Sequence, residues 1–170
     1  MDRSNFLIFT ETKTDITSES TVSDYFEKHN FKVFFKHRKK KISTFKSGGI
    51  IICVKKKLAK YCKIIDTKCP FVLWCVIDKH VHGLEKDILL GGIYTPPEGS
   101  IYSSQYCFTE IEQEFINLNC NNKYYVALSG DLNAHIGKES GIIENEINDN
   151  VVTHDLQNIF NSDIDCVAEL

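Results

Sequence analysis

Tyr124-Tyr125-Val126-Ala127-Leu128-Ser129, followed at once by Gly130-Asp131-Leu132-Asn133-Ala134-His135, is the stretch from which the rest of the chain is read. An apolar run of this length, closed by glycine, is the pattern of a buried strand that ends in a turn. Asp131 and Asn133 therefore emerge together where a strand stops. Two other segments end the same way. FLIFT at 6–10 runs into Glu11, and DILLGGI at 87–93 runs into Tyr94 and the turn Thr95-Pro96-Pro97. Three strand ends thus deliver a carboxylate, a phenol and an Asp/Asn pair.

Further strands are expected at FKVFFKH (31–37), GGIIICV (48–54), YCKIID (61–66) and FVLWCVID (71–78), each rich in β-branched or aromatic residues and bounded by Gly, Pro or charge. Two segments carry helical spacing instead. Ser18 opens one over VSDYFEKHN, with Val22, Tyr25 and Phe26 on its apolar face. Residues 102–118 form the other, with Phe108, Ile111, Phe115 and Leu118 in register. That second helix lies between the strands at 87–94 and 124–129, so a crossover packed on a sheet is expected. After Gly137 the chain turns acidic and Asn-rich, with only a short candidate helix near 153–160. The expected organisation is one domain over 1–137 and a loosely structured acidic tail over 138–170.

The 170 residues, 42% apolar, suit a single domain with a sizeable core. No run approaches the roughly 18 apolar residues of a spanning helix, and the opening residues lack a signal sequence. A soluble intracellular chain, nuclear or cytoplasmic, is expected, with no membrane partner and no small-molecule cofactor. Seven cysteines without a CxxC pair read as reduced, packed thiols.

The net charge of −3 hides an asymmetry: between Lys28 and Lys63 there are thirteen Lys/Arg and no Asp or Glu. A solvated face is one reading of such a run. Contact with phosphate is the other, because clustered cations are the footprint of nucleic-acid binding. Arg38, Lys39, Lys40, Lys41 and Lys46 are the candidate contacts, and 38–41 also fits a short nuclear import signal.

At the strand ends, Asp131 and Asn133 either cap a turn or, if strand alternation continues, face one ligand together. A carboxylate beside an amide suits activating water while hydrogen-bonding a phosphoryl oxygen. Glu11 offers the hard oxygen that Mg²⁺ takes, with Mn²⁺ as a substitute. Tyr94 is either a core aromatic or a phenol held near the strand mouth. His135 lies beside the pair as a candidate supporting residue.

FLIFTETKT (6–14), SGGIIICV (47–54), FVLWCVI (71–77), GGIYTPP (91–97) and SGDLNAHIG (129–137) together resemble the endonuclease/exonuclease/phosphatase family, and within it the endonuclease domains of non-LTR, LINE-type retrotransposons. The resemblance implies an α/β four-layer sandwich of two packed mixed sheets flanked by helices, and Mg²⁺-dependent cleavage of DNA. It implies Glu11 as metal ligand and Asp131 as the group that orients or deprotonates water. Asn133 would hold the scissile phosphate and Tyr94 would hydrogen-bond it. The nick would leave a 3′-hydroxyl that primes reverse transcription.

Two departures accompany the matches. The family's preceding strand, with its metal-site Asn, has no counterpart before residue 6. Its closing Ser-Asp-His motif has none either, since Thr153-His154-Asp155 and Ser162-Asp163 follow no apolar strand. A fragment truncated at both ends, weak or inactive, with sheet edges prone to associate, is the resulting expectation. A lipid-headgroup phosphodiesterase and a non-catalytic nucleic-acid- or protein-binding remnant are the alternatives.

Overall fold

A computed structural model describes residues 4–37, 48–100 and 104–133. The elements, in chain order, are β1 (Phe6–Thr10), α1 (Glu19–Lys28), β2 (Phe31–Lys36), β3 (Ile50–Lys55), β4 (Cys62–Ile65), β5 (Val72–Ile77), β6 (Ile88–Tyr94), α2 (Cys107–Leu118) and β7 (Tyr125–Asp131). The acidic tail, the candidate helix near 153–160, His135 and the basic residues 38–41 and 46 lie outside the described residues. No described helix is long and apolar enough to cross a membrane.

Alternation sorts the apolar residues of β3 to two sides. Ile50, Ile52 and Val54 meet Leu73, Cys75 and Ile77 of β5 and Leu90 and Tyr94 of β6 in a core between two sheets. Ile51 and Cys53 point the other way, to Phe31 and to Val22 and Phe26 of α1. In the second sheet Val72 and Trp74 of β5 and Leu89 and Ile93 of β6 face Cys107, Ile111, Phe115 and Leu118 of α2. The layers are therefore helix, sheet, sheet, helix, the α/β sandwich expected. One sheet, β1-β3-β2, is antiparallel throughout, and the mixed pairing lies in the other, β4-β5-β6-β7, where β6 and β7 run parallel across the α2 crossover.

Two helical expectations need correction. Tyr25 is 61% exposed and Phe108 50% exposed; Tyr25 lies against the rings of Phe26 and His29 instead of the sheet. In α2 the inward position next to Phe108 is taken by Cys107, which shares the face of Ile111, Phe115 and Leu118. A helical turn of 3.6 residues lets the stripe shift by one position, and packing against the sheet selects which.

The second sheet needs a glycine where its tryptophan ring comes close. A Cβ on Gly91 would stand 2.6 Å from Trp74 Cζ3 and 2.8 Å from Leu128 Cδ2. Trp74 and Leu128 are the register partners of Gly91 on either side, so the missing side chain makes room for the indole. That indole is anchored from α2: its Nε1–H donates to Glu114 Oε2 at 3.1 Å, while the Cys69 N–H donates to Glu114 Oε1 at 2.8 Å.

The register places the strand ends at two poles. β1, β2, β6 and β7 all finish at one pole, where β3 and β5 begin. Lys36, the last residue of β2, ties the two sheets together there by donating from Nζ to the Thr67 carbonyl, in the turn before β5. At the other pole the short link 56–61 carries the end of β3 into the start of β4, and Asp78 N–H, just past β5, donates to the Tyr61 carbonyl at 2.9 Å.

Candidate active site

Glu11, Tyr94, Asp131 and Asn133 all lie at the first pole, as the shared ends of β1, β6 and β7 require. The tightest part of it is the end of β7. Gly130 has φ +142, and a Cβ there would stand 1.9 Å from the Ile93 carbonyl oxygen. Only glycine lets β7 come this close to β6. Asp131 then pairs with Tyr94 in the parallel register, and its carbonyl accepts the Thr95 N–H at 3.0 Å.

After Asp131 the strand stops. Asn133 takes a left-handed backbone, φ 43, so alternation is not what brings the pair together. The chain curls into an Asx turn instead. The Asn133 N–H donates to Asp131 Oδ1 at 2.9 Å, and Asn133 Nδ2 donates to Asp131 Oδ2 at 3.0 Å and to the Thr95 carbonyl at 2.8 Å. The turn-capping role and the pairing of Asp131 with Asn133 are thus one geometry. Both Nδ2 hydrogens are committed, so Asn133 contacts a phosphate by donation only after releasing one of these bonds. Asp131 is exposed, with both oxygens already oriented.

Thr95 is the residue the sequence reading passed over. It is 1% exposed and engages the end of β7 and the turn after it three times, through its N–H to Asp131, its carbonyl to Asn133 and its hydroxyl to the Leu132 carbonyl. The available signal was its place before Pro96-Pro97. A residue before proline is held extended, and the prolines that follow bring no N–H of their own, so Thr95 supplies the bonds.

Tyr94 is 4% exposed and packs in the inter-sheet core. Its ring closes that core at the end of β6, where Tyr94 is the register partner of Asp131. Glu11 is exposed, in a left-handed conformation with φ 51, and its Oε1 lies 3.8 Å from Lys13 Nζ. Its turn is fixed to the start of β3 by Thr12 N–H to the Gly49 carbonyl at 3.2 Å and Lys13 N–H to the Gly48 carbonyl at 2.9 Å. Among the described residues no group of three or more His, Cys, Asp or Glu side chains is placed to hold a metal ion. The donors that the pole does offer, carboxylate oxygens, match Mg²⁺ in kind, because that ion completes its shell with water and phosphate oxygen around one or two carboxylates.

Among the described residues the cations of 28–63 divide between the poles, with Lys36, the end of β2, at the same pole as the candidate site. Lys28, Lys32, Lys55, Lys56, Lys57 and Lys60 sit toward the opposite pole. Among the described residues, the cations of 28–63 therefore do not all lie beside the candidate site.

No protein-family model matches the chain, and no curated protein does. Among solved structures the chain is similar to the human Nocturnin catalytic domain with bound sulfate anion, at 13% sequence identity and a TM-score of 0.49, covering 77% of this chain and 52% of that one. The chain thus spans about half the length of that domain.

Proposed function

We propose that this chain is a metal-dependent phosphodiester hydrolase of the endonuclease/exonuclease/phosphatase type, and a DNA endonuclease that nicks target DNA in retrotransposition. The observation that carries the reading is the Asp131 carboxylate, exposed at a strand mouth and fixed through both oxygens by Asn133. A positioned carboxylate is what general-base activation of water requires. Asp131 takes a proton from the attacking water, whose oxygen bonds to phosphorus as the bond from phosphorus to O3′ breaks. The products are a 5′-phosphate and a 3′-hydroxyl, the latter protonated from solvent. Glu11 is the residue assigned to Mg²⁺, or Mn²⁺ in its place; when bound, the ion neutralises charge on the phosphate. Asn133 and Thr95 position Asp131, and Tyr94, at the end of β6, is assigned a hydrogen bond to a phosphate oxygen. Arg38, Lys39, Lys40, Lys41 and Lys46, clustered cations without an acidic residue among them, are assigned to the DNA backbone.

A second reading, a binding remnant without turnover, is favoured by the commitment of both Asn133 Nδ2 hydrogens and by the burial of Tyr94. One experiment separates the two. Supercoiled plasmid is incubated with the full chain in Mg²⁺, in EDTA, and with Asp131→Ala. Metal-dependent nicking that vanishes in the variant, leaving ends that a polymerase extends, supports the endonuclease. Plasmid binding without nicking, by protein shown to be folded, supports the remnant.

A further inference from the structure

We propose that the pole remote from Asp131 is a second binding surface for the phosphodiester backbone of a nucleic acid, built from Lys28, Lys32, Lys55, Lys56, Lys57 and Lys60. These six come from the end of α1, the start of β2, the end of β3 and the link to β4, and the fold draws them together. Lys55 pairs in register with Phe31, and the Lys56 N–H donates to the Asn30 carbonyl at 2.8 Å, joining the β3 end to the turn between α1 and β2. Five of the six are exposed, with Lys55 half-buried.

Two features separate this surface from an ordinary solvated face. The first is the charge balance. No acidic residue interrupts 28–63. Among the neighbours that do carry one, Glu27 lies 3.7 Å from Lys56. Asp78, beside Tyr61, has its Oδ1 engaged by the His80 N–H at 2.8 Å and the His80 ring at 2.6 Å. The second is restraint of the lysine heads. Lys55 Nζ lies 3.9 Å from the Phe31 ring centroid, Lys60 Nζ 4.8 Å from that of Tyr61 and Lys32 Nζ 5.2 Å from that of Phe34. Cations held over aromatic faces lose less freedom when they meet a phosphate.

The surface is also apart from the candidate site. Strands of six or seven residues put roughly 20 Å between the poles, so a straight duplex lying across Asp131 does not reach Lys57 or Lys60. The proposal is independent of catalysis: it stands whether or not Asp131 turns over a phosphodiester.

The test is fluorescence-anisotropy binding of the full chain, in EDTA to prevent cleavage, to a labelled 20-base-pair DNA duplex and to an RNA duplex of the same sequence, across a salt series. Lys28→Gln/Lys57→Gln/Lys60→Gln is compared with wild type, circular dichroism confirming the fold, and single Lys57→Gln and Lys60→Gln variants serve if the triple variant unfolds. Each lost duplex contact removes about 0.9 from the slope of log affinity against log salt. The triple variant is expected to lose roughly 2 to 3 in that slope and about 100-fold or more in affinity near 0.1 M salt, and each single variant up to about 0.9 in slope. The DNA and RNA arms report which backbone the surface prefers. Unchanged slope and affinity in the variants would overturn the proposal. So would wild-type binding to phosphatidylserine-containing vesicles with none to either duplex.

Discussion

Asn133 donates its backbone N–H at 2.9 Å and a side-chain N–H at 3.0 Å to the two carboxylate oxygens of Asp131. The amide acts on the carboxylate, and through it on any water the carboxylate holds. Asp131→Asn is accordingly expected to lower Mg²⁺-dependent nicking by about 100-fold or more, the usual worth of a positioned base. Asn133→Ala is expected to lower kcat by about tenfold with a smaller change in KM, the pattern of lost positioning. Steady-state nicking of both variants checks this; a rise in KM alone for Asn133→Ala would return Asn133 to direct phosphate binding.

Gly130→Ala tests the close approach of β7 to β6. The new methyl would meet the Ile93 carbonyl at 1.9 Å with φ at +142, so the strand end must move or the chain must unfold. A loss of about 3 kcal/mol in stability is expected. Urea unfolding followed by Trp74 fluorescence measures it, and a loss under about 0.5 kcal/mol, the size of an ordinary surface change, would contradict the geometry.

Glu114 satisfies two donors with two oxygens, one of them the indole N–H of fully buried Trp74. Glu114→Ala strands both, at an expected cost of about 3 kcal/mol. Glu114→Gln keeps one acceptor oxygen and should cost less than half as much. Equal losses in the two variants, read by thermal unfolding, would mean that packing rather than these bonds sets the effect.

Stability should also depend on pH through His82. Among the described residues neither of its ring nitrogens has a hydrogen-bond partner, and desolvation holds its pKa below the ordinary histidine value. The unfolded chain therefore binds this proton more readily than the folded one. Stability from this group is fully present above about pH 6.5 and declines as pH falls from there toward the lowered folded-state value. Urea midpoints between pH 7.5 and 5 should drop for wild type and drop less for His82→Leu. Parallel curves for the two proteins would remove His82 from the account.

Local pattern made most of the architecture legible. Runs such as IIICV in β3 and ILLGGIY in β6 are apolar beyond what one face needs, which marks strands covered on both sides, and the 3.6-residue spacing of Ile111, Phe115 and Leu118 marks the crossover helix. These signals come from residues within a few positions of each other, so they survive in the sequence alone. The pairing of Asp131 with Asn133 was legible for the same reason, being a two-residue contact, although an Asx turn and not strand alternation makes it. What only the tertiary structure decided is everything that depends on register across tens of residues. Tyr94 goes to the core because β6 places its even-numbered side chains against β1 and β3. Thr95 joins the site because β7 pairs parallel to β6. Among the described residues, Lys36 is parted from Lys32, Lys55, Lys56 and Lys57 because the two ends of β3 lie at opposite poles of the sandwich.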